Sequence, residues 1–91
     1  MNIAFRIPRV LRTECAGQLE LRLSGSTVRE VLDEVRREHP GLYRSICNET
    51  GSVRQHIHLF VNDDLVRDRV GDQTTLKPGD VVSVFQAVSG G

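Results

Sequence analysis

The chain has 91 residues, twelve Lys+Arg against twelve Asp+Glu, 38% hydrophobic residues, and three Phe and one Tyr with no Trp. That length fits one small domain with little room for a buried catalytic cleft. A formal net charge of zero argues against a nucleic-acid binder, which carries a basic surplus to neutralise phosphates, and against a binder of anionic membranes.

Ile3, Phe5 and Ile7 alternate with Ala4 and Arg6, the period of a half-buried strand, and Pro8 ends it. The stretch 9–17 is polar and irregular and reads as a loop. Leu19, Leu21 and Leu23 alternate with Glu20 and Arg22 and predict a second strand that pairs with the first. Ser24 to Thr27 form a turn, with Thr27 as N-cap and Glu30 completing a capping box. Val28, Val31, Leu32 and Val35 follow at i, i+3, i+4 and i+7, one apolar stripe, while Arg29, Asp33, Arg36 and Arg37 read as the solvated face. His39-Pro40-Gly41 stops this helix. Leu42 to Ile46 predict one short further turn and 48–52 a loop.

Ile57, Leu59 and Val61 alternate with His56, His58 and Phe60 in a third strand, which Asn62-Asp63-Asp64 turns. Leu65 and Val66 begin a short fourth strand. After a Lys77-Pro78-Gly79-Asp80 turn, the last strand runs from Val81 to about Phe85. The order strand, strand, helix, strand, short strand, strand predicts a two-layer α+β domain: a mixed sheet of four to five strands on one main helix. It spans 1–91 as a single domain with a flexible tail over 86–91.

Few residues offer chemistry. Cys15 and Cys47 fall short of the disulfide density of a small secreted domain, the N-terminal residues resemble no signal peptide, and no apolar run approaches the ~20 residues of a membrane span. The expectation is a cytoplasmic chain with two reduced filler thiols. Two cysteines without an adjacent histidine do not make a zinc or iron–sulfur ligand set. There is no phosphate-cradling glycine loop and no nucleophile elbow, so no catalytic residue and no metal ligand is assigned. His56 and His58, on one strand face, read as surface histidines, and Asp63 with Asp64 as turn residues. The charge divides mildly, with eight basic and six acidic groups in 1–45 against four and six in 46–91.

What remains is Ala87-Val88-Ser89-Gly90-Gly91. Such an end is either a frayed terminus or the reacting group. A terminal carboxylate, with a pKa near ~3.5, is ionised and inert toward nucleophiles at neutral pH. It becomes electrophilic once another enzyme converts it to a mixed anhydride such as an acyl-adenylate. Glycines suit that use, because without side chains they thread a narrow channel in extended form.

Ser26 to Leu32 at the helix start, Phe60 to Asp64 at the hairpin, Leu76 to Val82 before the last strand and the terminal Ala87 to Gly91 together resemble the ThiS/MoaD family of ubiquitin-like β-grasp sulfur carriers, over essentially the whole chain. The resemblance implies a β-grasp fold and a carrier that is not itself an enzyme and binds no cofactor. It implies two partners. An E1-like enzyme uses ATP and magnesium to adenylate the Gly91 carboxylate, and sulfur then displaces AMP to leave a thiocarboxylate. A downstream synthase accepts that sulfur in cysteine, thio-natural-product or cofactor biosynthesis. By position, Gly91 bears the sulfur, and Gly90 with the Ala87-Val88-Ser89 arm reaches both active sites.

Two departures stand out. Gln86 occupies a place where the family often has proline, and the loops 9–17 and 47–54 are longer than in the molybdopterin-synthase small subunits. The run Ile7 to Arg12 is more similar to the CysO-like branch. A protein modifier that couples Gly91 to lysines, or a plain β-grasp interaction domain, are the alternative readings. If Ile57, Leu59 and Val61 face the helix, then His56, His58 and Phe60 face outward and, with Ala4, Arg6 and either Phe85 or the Val82/Val84 register of the last strand, form a small docking patch beside the tail, its candidate residues Phe60, Phe85, His58 and Arg6. Core positions for Phe60 and Phe85 stay open at this stage.

Overall fold

The computed structural model describes residues 2–15, 17–66 and 74–86. Its strands are β1 (Ile3–Arg6), β2 (Glu20–Leu23), β3 (Ile57–Val61), β4 (Asp64–Leu65) and β5 (Val81–Gln86). They form one mixed sheet in the order β2-β1-β5-β3-β4. β1 pairs antiparallel with β2, placing Phe5 opposite Leu21, and parallel with β5, placing Phe5 opposite Val82. β5 is the centre of the sheet, and its other flank runs antiparallel along β3 with Phe60 opposite Ser83.

Helix α1 (Val28–Glu38) crosses one face of this sheet. The Thr27 side chain accepts from the Glu30 amide at 3.1 Å, while the Glu30 carboxylate accepts from the Ser26 amide at 2.8 Å, so the capping box closes one residue ahead of the cap itself. The Ser26 amide, and after it the Ser26 hydroxyl at 2.9 Å, hold the Glu30 carboxyl below its usual range. Val28, Val31, Leu32 and Val35 are fully buried, each worth roughly 1.5–3 kcal/mol of apolar transfer. Gly25 allows the close entry into α1: a Cβ there would sit 2.9 Å from Cγ2 of Val31 and 3.0 Å from its amide nitrogen.

The segments between elements hold more structure than their composition suggests. Residues Arg9–Cys15 form a 3-10 helix instead of a loop, started by the Leu11 amide donating to the Pro8 carbonyl at 3.0 Å. Leu11 is its buried anchor, and the segment packs on α2 (Pro40–Ile46). α2 is itself a seven-residue helix, not one turn. Pro40 sits in the first turn, where a missing N–H costs nothing, and Leu42, Tyr43 and Ile46 turn a buried face inward.

Leu19 departs from the expected alternation. Its carbonyl accepts from Ile7, but β2 begins only at Glu20 and the Leu19 side chain is 59% exposed. In the β3–β4 hairpin Asn62 takes a positive φ of 55°, and β4 opens at Asp64, one residue earlier than expected. β5 runs through Gln86, one residue past the expected end.

Candidate functional site

The open face of the sheet, away from α1, is set by the parity of β5. Val82 and Val84, at 0% and 3% exposure, enter the core beside Phe5 and Leu59, whereas Phe85 is 54% exposed. The structure therefore selects Phe85, not Val82 and Val84, for the outer surface. Phe60 is half-buried on the same face, and its ring meets Phe85 edge-on, centroids 5.2 Å apart at 86°. The two are diagonal neighbours across the strand pair, because Phe60 lies opposite Ser83. Edge-to-face contact of this kind adds about 0.5–1.5 kcal/mol beyond area burial.

Arg6, Phe60, Val81, Ser83 and Phe85 line one shallow groove of about 730 Å³. His58 lies opposite Phe85 across the β3–β5 ladder and is half-buried. All four expected patch residues, Phe60, Phe85, His58 and Arg6, thus belong to neighbouring positions of one sheet. Arg6 is its exposed cation, 3.6 Å from the Glu20 carboxylate. Asn62 and Asp63 of the hairpin also line the groove; Val81 and Ser83, which line it from β5, carry no signal in the sequence until the β5 register is known. Asp80 anchors the root of the strand: its carboxylate accepts from the Lys77 amide at 2.8 Å and from the Asn62 side chain at 3.2 Å. These bonds, the Lys77 amide first, hold its carboxyl below the usual range. The tail residues Ala87, Val88, Ser89, Gly90 and Gly91 lie outside the described residues.

A second cluster lies at the α1–α2 corner, and sequence reasoning assigned Arg29 there to solvent. Its guanidinium instead donates to the Gly51 carbonyl at 2.8 Å and to the Tyr43 hydroxyl at 3.2 Å, with Asp33 at 3.4 Å. It thereby pins residues 47–53, which are a tight turn: Asn48 Oδ1 accepts from the amides of Thr50 and Ser52, and Gly51 takes a φ of 89°. Cys47 is buried beneath this turn. Burial pushes its thiol up, against the opposing pull of Arg29, so it stays protonated and a poor nucleophile at neutral pH.

His56 falls in the turn before β3 and does not share a strand face with His58. Among the described residues, no group of three or more His, Cys, Asp or Glu side chains is placed to hold a metal ion, and no helix is long and apolar enough to cross a membrane.

The arrangement places two aromatic rings and an exposed cation on the open side of a central strand whose chain continues toward Gly90 and Gly91. Known proteins are similar to this chain in sequence and in fold. The ThiS family model matches residues 10–91. The sulfur carrier protein CysO of Mycobacterium tuberculosis is 30% identical over 93 residues, covering 100% of both chains. Small archaeal modifier protein 3 of Haloferax volcanii is 38% identical over 66 residues, covering 72% of this chain and 71% of the relative. A chain of the Amycolatopsis orientalis BexX/CysO complex superposes with a TM-score of 0.86 at 32% identity, covering 98% of this chain and 99% of that one. The architecture is the β-grasp, ubiquitin-like fold, and the chain belongs to the ThiS family.

Proposed function

We propose that this protein is a sulfur carrier that presents the carboxylate of Gly91 to two partner enzymes in turn. The observation that carries this reading is the full-length match to a sulfur carrier, in a family alignment that extends through Gly91 itself. An E1-like enzyme, using ATP and magnesium, directs a Gly91 carboxylate oxygen onto the α-phosphorus and releases pyrophosphate. Hydrosulfide then attacks the acyl carbon, AMP leaves with the bridging oxygen, and a thiocarboxylate remains. A downstream synthase takes up the sulfur. The carrier supplies no catalytic group; it supplies reach through Ala87, Val88, Ser89 and Gly90, and docking through Phe60, Phe85, His58 and Arg6. This chemistry belongs to the cytoplasm, where ATP is available and Cys47 and Cys15 stay reduced.

The test is intact-mass analysis after incubation with the E1-like enzyme of the same organism, ATP, magnesium and sulfide. Exchange of one oxygen for sulfur on Gly91 is the expected result, and no ATP-dependent mass change would refute the reading. The likeness to small archaeal modifier protein 3 favours a second reading, in which the same activated carboxylate is transferred to lysine amines. Branched Gly-Gly remnants on lysines would mark that use.

A further inference from the structure

The two flanks of β5 do not end together. On the β3 side its ladder continues to Gln86 opposite Ile57, whereas on the β1 side it stops with Arg6 opposite Ser83. Pro8 explains the early stop. A proline has no N–H to offer the next ladder position, and its carbonyl accepts from Leu11 as the chain turns into the 3-10 helix. The Ala4 amide donates to the Asp80 carbonyl, and the Asn62 amide donates to Val81. Backbone groups of a strand alternate between its flanks, so the even residues of β5 address β1 and the odd ones β3. The Val84 carbonyl and the Gln86 N–H therefore point to the flank that β1 has left.

Beside that stretch lies a crevice of about 580 Å³, with an apolar wall of Ile7, Pro8, Leu19, Val84 and Phe85 and a polar wall of Arg6, Arg12, Glu20 and Ser83. Leu19 and Phe85 are two of the four large hydrophobic side chains exposed among the described residues. One backbone acceptor and one backbone donor on the same strand flank, next to a crevice whose apolar wall can take one side chain, are what an added β-strand uses. We infer that this flank is a strand-addition site, occupied by an extended segment of the activating enzyme that lies along Val84 to Gln86 and sets one apolar side chain against Leu19 and Phe85.

The inference rests on the carrier reading, and chain length requires the occupant to be an enzyme that holds the tail, of which the activating enzyme is the first to do so. Five residues separate Gln86 from the end of Gly91, and an extended chain spans at most about 3.6 Å per residue, so roughly 18 Å in all. Any enzyme holding the Gly91 carboxylate in its active site must bring its surface that close to the end of β5.

The test uses the full-length chain and the E1-like enzyme that adenylates it. Gln86→Pro removes the donor on the open flank and leaves the β3 ladder intact, since Gln86 does not donate to β3; Gln86→Ala keeps the donor. Leu19→Asp alters an exposed wall of the crevice without touching the core. The expected result is a KM about five-fold higher for Gln86→Pro, in keeping with one backbone hydrogen bond, and about tenfold higher for Leu19→Asp, with kcat retained and Gln86→Ala close to wild type. The Gln86 amide of the wild-type chain should gain hydrogen-exchange protection in the complex. If the wild-type chain is adenylated while both variants keep its KM and the Gln86 amide stays unprotected, strand addition is overturned and the carrier reading stands. Absence of adenylation in the wild type removes both.

Discussion

The two faces of β5 answer to different constraints although they share one backbone. Inward, Val82 and Val84 are held between Phe5 on β1 and Leu59 on β3, where shape and volume decide what is tolerated. Outward, Ser83 and Phe85 share a groove with Arg6 and Phe60, where nothing in the fold demands an aromatic ring. With the outer face as the proposed docking surface, strand parity separates stability from recognition, and a substitution should affect one or the other according to the side on which it falls.

The most severe break of this division should come from the tail. A chain ending at Gly90 should lose all ATP-dependent thiocarboxylate formation by intact mass, with an unchanged thermal melt, because the buried core of the described residues runs from Ile3 to Val84. Next, Leu59→Ala on the inner face should cost about 2–5 kcal/mol in denaturant unfolding, while the KM of the activating enzyme stays constant at temperatures where the variant is folded. On the outer face, Phe85→Ala should do the reverse. Stability should change by about 1 kcal/mol or less, set by loss of the Phe60 contact, and KM should rise about tenfold, near 1.4 kcal/mol. Equal effects on both quantities for either variant would collapse the separation.

The smallest effect expected is that of acid. Asp80 and Glu30 have carboxyls held below the ordinary range by amide donors. A depressed folded pKa contributes stability above the unfolded value, lost as pH falls through the folded one. Melting temperature should therefore decline as pH drops below about 4, and Asp80→Asn, less stable at neutral pH, should decline less steeply over the same interval. A steeper acid decline in Asp80→Asn would contradict the assignment.

How much of this was legible in the sequence depends on the range of the interactions. α1 was readable because its cap, its box and its stripe all lie within nine residues of one another. The 3-10 helix was not: Arg9 to Arg12 carry no helical period, and the segment packs on α2, about thirty residues on. The same holds for Arg29, which belongs to the polar face of α1 on any helical projection. Only when residues 47–53 fold over that flank does it acquire Gly51 and Tyr43 as partners. The outer patch was half legible, since Val81 to Phe85 is apolar on both parities and periodicity alone does not choose between them. The roles proposed for Ala87 to Gly91 rest on the family resemblance, and those residues lie outside the described ones.

The parallel pairing of β1 with β5 has a mechanical meaning. The first and last strands of the described fold lie side by side and point the same way, so a pull applied between the tail and the N-terminal end loads their hydrogen bonds in shear, all together, and does not unzip them one at a time. Resistance to such a pull is governed by the unfolding rate rather than by equilibrium stability. A pull on the tail would meet that ladder first, and the C-terminal end is therefore a poor place from which to unravel the protein.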